Sequence, residues 1–255
     1  MMQVKYNCFK NKVAIVTGAG GGMGLAIAVQ LLQQGAHVGM IDVKDEPELA
    51  ADVRQNATYF QIDLTHDDAV GRSIDQMYAK YGRMDYVANV AGVLLFGKDV
   101  SMVDIDLDLW DQVMAINLKS MVHTVRHSVP LMKKSGGGAM VHFSTIQALR
   151  GDARPQDAYM CSKAAVLSLS KSVAMQFARD NIRSNVILPG ITDTPLQERF
   201  REDPGLKDAF GEAVPLGWVA APEHMANAAL FLLSDAAGYI TGIDLPVDGG
   251  LLLKY

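Results

Sequence analysis

Within "AYMCSK" a phenol, Tyr159, precedes an amine, Lys163, by four residues. In a helix that spacing is one turn, so both side chains leave the same face. A positive charge about 4 Å from a phenol, at an effective dielectric near 20, favours the phenolate by roughly 4 kcal/mol, or about three pKa units. Such a pair could act as a general base near neutral pH, and a cationic ring beside it would push the same way. On spacing alone, a solvated tyrosine and lysine on an amphipathic helix fit as well. Upstream, "MVHFST" (Met140 to Thr145) reads as an apolar strand running into two hydroxyls, Ser144 and Thr145. Strand side chains alternate faces, so at most one of the two aims at a bound ligand.

A second centre lies near the N-terminus. "TGAGGGMG", Thr17 to Gly24, follows the first apolar run and opens a helical one. Glycines let backbone approach a ligand closely, and a helix N-terminus offers free N–H groups and a positive dipole end to a pyrophosphate. The next apolar run ends in Asp42, placed to take both ribose hydroxyls of an adenosine. A carboxylate there repels a 2'-phosphate, and no Arg or Lys interrupts the glycine turn. NAD is therefore expected over NADP, with Lys44 the one nearby dissent.

The elements that must position these residues alternate. Strands are expected at 13–17, 37–42, "TYFQID", "MDYVANV", "MVHFST", "IRSNVIL" and "IDLPVD". Helices are expected at 23–34, from Pro47, at 67–81 with Thr65 and Asp68 at capping-box spacing, at 108–131, at 157–179 and after Pro222. Seven apolar strands and about six helices in strict alternation imply one α/β domain, a doubly wound parallel sheet covered on both faces. The irregular insert at 192–219 is the expected lid over the ligand crevice.

Composition agrees with an enzyme-sized domain: 255 residues, 49% of them apolar. A net charge of -5 without like-charge blocks argues against a nucleic-acid partner. Cys8 and Cys161 form no disulfide or zinc pattern, and His123, His127, His142 and His224 show no ligand spacing, so no metal is expected. No signal peptide or membrane-length apolar run appears, and a cytoplasmic location is expected.

Taken together, these motifs resemble the short-chain dehydrogenase/reductase superfamily over nearly the whole chain. "TGAGGGMG" is similar to its TGxxxGxG, "NVAG" (Asn89 to Gly92) to NNAG, Asn117 in "MAINLKS" to its helix asparagine, and "YMCSK" to YxxxK. "PGITDTP" and "DLPVDGG" are similar to its nicotinamide-side turn and its ending. The resemblance implies a Rossmann fold binding the cofactor through Gly18, Gly22, Met23, Gly24 and Asp42, with Asp63 and Leu64 at the adenine. It places Asn89, Ala91 and Gly92 on the cofactor floor and Pro189, Gly190, Thr192 and Thr194 at the carboxamide. Tyr159 would take the hydroxyl proton. Lys163 would lower its pKa and hold the nicotinamide ribose, and Asn117 would anchor a water in a proton relay. A homotetramer is also implied.

The chain departs from the family pattern twice. Val90 stands where an asparagine helps pin neighbouring strands, and the residue thirteen before Tyr159, where the family has its catalytic serine, is Ile146. Aligning "VHFST" on the family's strand ending puts Thr145 at the serine's position, as the hydroxyl donor to the reacting oxygen, with Ser144 turned away; the alternative is that the longer loop re-aims the strand end so that Ser144 donates and Thr145 packs. The substrate is expected among Thr145, Gln147, Tyr159 and Trp218, with Leu94, Leu95, Leu149, Phe200 and Phe210 making an apolar site for a small secondary alcohol or ketone. Arg150, Asp152 and Arg154 read as solvated loop charges or, alternatively, as an anion or sugar contact. Two other functions stay open: a reductase of acyl groups on a carrier protein, using Arg126, Lys133, Lys134 and Lys171, and a non-catalytic dinucleotide-binding regulator.

Overall fold

The computed structural model describes residues 6–197, 200 and 203–254. Runs of four to eight residues supply the strands: β1 (Val13–Thr17), β2 (His37–Asp42), β3 (Ala57–Gln61), β4 (Tyr86–Asn89), β5 (Gly138–Phe143), β6 (Ile182–Pro189) and β7 (Asp244–Val247). They form one parallel sheet in the order β3-β2-β1-β4-β5-β6-β7. The order reverses between β1 and β4, and a crevice opens there outside the carboxyl ends of the strands.

The helices are α1 (Gly22–Gln33), α2 (Ala51–Arg54), α3 (Asp67–Tyr81), α4 (Leu107–Met114), α5 (Ser120–Lys134), α6 (Asp157–Phe177), α7 (Pro204–Ala213) and α8 (Pro222–Leu233). Strand alternation sorts the core into two layers. Ala14 and Val16 of β1 face Ile27 and Leu31 of α1 and Met225 and Leu230 of α8. Val13 and Ile15 face Ile74 and Met77 of α3, with Met132 of α5 and Val173 of α6 in the same layer. Both faces are thus covered, which near-continuous apolar strands require.

Four sequence expectations change. The helix expected from Pro47 is only the single turn Ala51–Arg54. The capping box at α3 is absent: Thr65 donates to Asp63 at 2.8 Å, and His66, the N-cap, makes no side-chain capping bond. The helix expected at 108–131 runs from 107 to 134 but is interrupted by a π turn, Ala115–Lys119, that holds Asn117. The strand in "MVHFST" ends at Phe143, one residue before the two hydroxyls, although Thr145 keeps an extended backbone.

Pinning of β4 does not need the missing asparagine. Thr17 Oγ1 accepts from the N–H of Val90 at 3.0 Å and of Ala91 at 3.2 Å. Asn89 Nδ2 lies 3.1 Å from His142 Nδ1, His142 Nε2 lies 3.2 Å from Ser184 Oγ, and Ser184 meets Ser170 at 2.8 Å. Burial pushes His142 down to about 4, so the ring is neutral, accepting at Nδ1 and donating at Nε2. Among the described residues no helix is long and apolar enough to cross a membrane.

Candidate active site

The crevice holds a slot of about 460 Å³ that runs from the glycine turn to α6. Its first end is backbone. Gly18 has a positive φ of 68°, and a Cβ on it would stand 2.9 Å from the main chain of Ala91. A Cβ on Gly24 would lie 2.1 Å from the Gly18 carbonyl oxygen. Only glycine permits this closeness, which brings the N-terminus of α1 to the slot wall. Asp42, at the end of β2, borders the slot and accepts from Gly20 N at 2.8 Å and Lys44 N at 3.1 Å. Lys44 lines the slot beside it.

The middle is lined by Asp63, Leu64 and Thr65 on one side and Val90 to Val93 on the other. Burial works against the Asp63 carboxylate, but two hydrogen bonds from Thr65 outweigh it and hold the group below the usual carboxylate range. Ala91 and Gly92 lie on the slot floor as expected, whereas the Asn89 side chain turns inward to His142 and to Thr124 at 2.7 Å. A Cβ on Gly92 would stand 2.9 Å from Lys163 Nζ and 3.2 Å from Asn117 Oδ1, so this glycine gives both side chains their room.

The far end is made of side chains. Tyr159 and Lys163 line the slot from one face of α6, 9% and 4% exposed. Lys163 donates to the Phe143 carbonyl at 3.0 Å, and burial lowers it to about 8. The Tyr159 phenol is pushed up to about 12 by burial, only partly offset by its hydrogen bond with Thr145. That corrects the fall toward 7 expected from the lysine charge: the ammonium is engaged by the end of β5, and desolvation of the phenol dominates.

The two hydroxyls part company here. Ser144 Oγ donates to the Lys163 carbonyl at 2.7 Å, a buried bond to helix backbone. The Thr145 hydroxyl meets the Tyr159 phenol and accepts from Gln147 N at 3.3 Å. Alternation thus sends the Ser144 hydroxyl to the helix main chain and the Thr145 hydroxyl to the phenol, although Ser144 itself lines the slot and Thr145 does not. Asn117 is fully buried in the π turn. Its Oδ1 accepts from Val93 N at 2.7 Å, and its Nδ2 donates to Val93 O and Ser162 Oγ, each at 3.0 Å.

Beyond the slot the expectations separate. Thr194 lines it, together with Pro195 and Leu196. Pro189 and Gly190 close β6, where a Cβ on Gly190 would stand 2.7 Å from Asp248, and Thr192 pairs with Ala220. Gln147 donates to Asp152 at 2.6 Å. Trp218 does not join the slot: it packs on His224 and lines a separate cavity of about 170 Å³, while Leu149 is exposed. Phe200 and Phe210 pack on each other at 5.5 Å. His123, His127 and His224 bond to Leu64 O, Asp67 and the main chain of Ala221. The residue most plainly missed is Asp99, which accepts from the N–H groups of Ala158 and Tyr159. Its partners lie about sixty positions away, beyond any local pattern.

A glycine cradle at a parallel-sheet switch point, joined to a Tyr/Lys helix, agrees with what known proteins show. The family profile described as enoyl-(acyl carrier protein) reductase matches residues 18–252. The chain belongs to the short-chain dehydrogenase/reductase family. It is 34% identical to 3-oxoacyl-(acyl-carrier-protein) reductase FabG of Chlamydia trachomatis serovar D over 247 residues, 94% of this chain and 97% of that one. It is also 34% identical to the NAD-dependent glycerol dehydrogenase of Listeria innocua, covering 96% and 95%. The ligand-free aldohexose dehydrogenase of Thermoplasma acidophilum superposes with a TM-score of 0.90 at 30% identity, covering 98% and 97%. As a member of this family the protein is a Rossmann-fold oxidoreductase acting on CH–OH groups.

Proposed function

We propose that this short-chain dehydrogenase/reductase moves a hydride between a small secondary alcohol or its ketone and NAD, with Tyr159 as general base and Thr145 as hydroxyl donor. The observation that carries the reading is that Tyr159 and Lys163 line the slot together from one face of α6, with the Thr145 hydroxyl beside the phenol. The residues fit a dinucleotide: Gly18 and Gly24 leave no room for a Cβ, the turn would admit a pyrophosphate at the α1 N-terminus, and Asp42 borders the slot where it could meet an adenosine ribose. When bound, the nicotinamide supplies hydride acceptance and a positive charge. With the phenolate favoured by that positive charge, Tyr159 takes the alcohol proton, Thr145 donates to the oxygen on which charge develops, and Lys163 holds the ribose. Pro189, Gly190, Thr192 and Thr194 would orient the carboxamide. Both polar atoms of Asn117 already have partners, so a relay water would be held by the loosened backbone of the π turn.

Asp42 supports NAD over NADP by repelling a 2'-phosphate, with Lys44 as the opposing charge. A homotetramer is the assembly that the family implies, and two free cysteines suit a reducing cytoplasm. Residues 192–219, of which 198, 199, 201 and 202 lie outside the described residues, would serve as the lid. The carrier-protein reading is favoured by the likeness to FabG. Against it, Arg126 and Lys133 are already paired with Asp67 and Asp180, leaving little basic surface for an acidic partner. One screen decides among these readings: alcohols, polyols, β-hydroxy acids and a β-ketoacyl carrier protein, each with both cofactors, followed at the reduced-nicotinamide absorbance. Tyr159→Phe is expected to abolish turnover while NAD still binds. Substantial turnover in that variant sinks the mechanism.

A further inference from the structure

The helix that carries the base begins without a cap of its own. Gln156, at its N-cap position, makes no side-chain capping bond, and its Oε1 is buried with no partner among the described residues. The first N–H groups of a helix need acceptors from outside it. Here Asp99 provides them from the loop after β4. One carboxylate oxygen accepts from Ala158 N at 3.0 Å and the other from Tyr159 N at 2.8 Å. Asp99 is 2% exposed. The contact is reciprocal, because Asp157, the first residue of α6, accepts from Met102 N at 2.8 Å. The loop also folds on itself here: the N–H groups of Lys98 and Asp99 both donate to the Leu95 carbonyl.

Burying a carboxylate is costly unless its oxygens are well bonded. A serine or aspartate at position 156 would satisfy the same N–H groups locally at the surface. What the remote carboxylate adds is a mechanical link between two segments. One is the loop after β4, which leaves the slot at Val93 and carries Leu94 and Leu95, expected from the sequence beside the substrate, and the other is the peptide of Tyr159 itself. We infer that Asp99 is a positioning residue, which clamps the loop after β4 to the Tyr159 main chain and so sets the distance between the base and the substrate wall. The inference rests on the assignment of Tyr159 as the base. The segments that line the dinucleotide end, Gly21 to Gly24, Asp42 to Lys44 and Asp63 to Thr65, make no hydrogen bond to Asp99. The clamp therefore acts on turnover and substrate, not on cofactor affinity.

A misplacement of about 1 Å at a reacting group can cost on the order of 100-fold in rate. Three variants test the clamp: Asp99→Ala, Asp99→Asn and Tyr159→Phe. Each is assayed well below its own Tm, with NADH affinity read from nicotinamide fluorescence. Asp99→Ala is expected to lose on the order of 100-fold in kcat, with a raised substrate KM and unchanged NADH affinity. Asp99→Asn keeps one acceptor oxygen and should fall between wild type and Asp99→Ala; it also carries the test alone if the alanine variant does not fold. If kcat and KM in the Asp99 variants stay within about twofold of wild type, whatever their Tm, the clamp is structural and the inference fails. A parallel loss of NADH affinity overturns it too, as general damage. Tyr159→Phe keeps the two ideas apart. An inactive Tyr159→Phe beside normal Asp99 variants removes only the clamp, whereas an active Tyr159→Phe removes the base assignment beneath it.

Discussion

At one end of the slot the turn from Thr17 to Gly24 holds its shape through main-chain approaches, with Gly18 against Ala91 and Gly24 against the Gly18 carbonyl. At the other end the shape depends on side chains drawn from four segments: Asp99 in a loop, Asn117 in a π turn, Thr145 after β5, and Tyr159 with Lys163 on α6. The first region is a contiguous stretch whose chemistry is the absence of side chains. The second works only if distant groups are held in register. A backbone-built site is intolerant of any added atom, whereas a side-chain-built site is intolerant of lost or shifted polar groups.

The contrast is broken most severely by Gly24→Ala, whose Cβ would meet a carbonyl oxygen at 2.1 Å. We expect a loss of about 3 kcal/mol or more in stability, seen by urea unfolding, together with loss of NAD binding. Gly21→Ala is the control within the same turn: its Cβ would find only Pro195 at 3.7 Å, an ordinary contact. That variant should keep its Tm and bind NAD less tightly, because Gly21 lines the slot. Next in size, Thr145→Ala should lower kcat on the order of 100-fold with folding intact, and Thr145→Ser should retain most activity in steady-state assays. Asp42→Ala should weaken NAD about tenfold and narrow its kcat/KM advantage over NADP, since charged hydrogen bonds to ribose are lost. A wild type that prefers NADP would show this end to be misread. The smallest effect is Ser144→Ala, which removes a buried bond to the Lys163 carbonyl. It should cost about 1 kcal/mol of stability and leave kcat nearly unchanged. A dead Ser144→Ala beside an active Thr145→Ala would exchange the two hydroxyls.

Strand and helix order was legible because near-continuous apolar runs leave no choice but a sheet covered on both faces, and β1, β2 and α3 lie where periodicity puts them. The 47–54 segment was misread because Pro47 marks a helix start only when an apolar face follows, and "EPELAADVR" buries only Val53 in its single turn. The π turn at 115–119 was invisible to a 3.6-residue pattern, since one widened turn shifts the face without breaking the run.

The sequence by itself determined the cofactor cradle and the pairing of Tyr159 with Lys163. A glycine's missing Cβ and a four-residue helical spacing are local properties, encoded within a few positions. Only the tertiary structure decided where the Ser144 and Thr145 hydroxyls go, why the Tyr159 phenol sits near 12, and what caps α6. Those outcomes depend on desolvation and on partners tens of residues away, which exist only once the sheet has brought β4, β5 and α6 together.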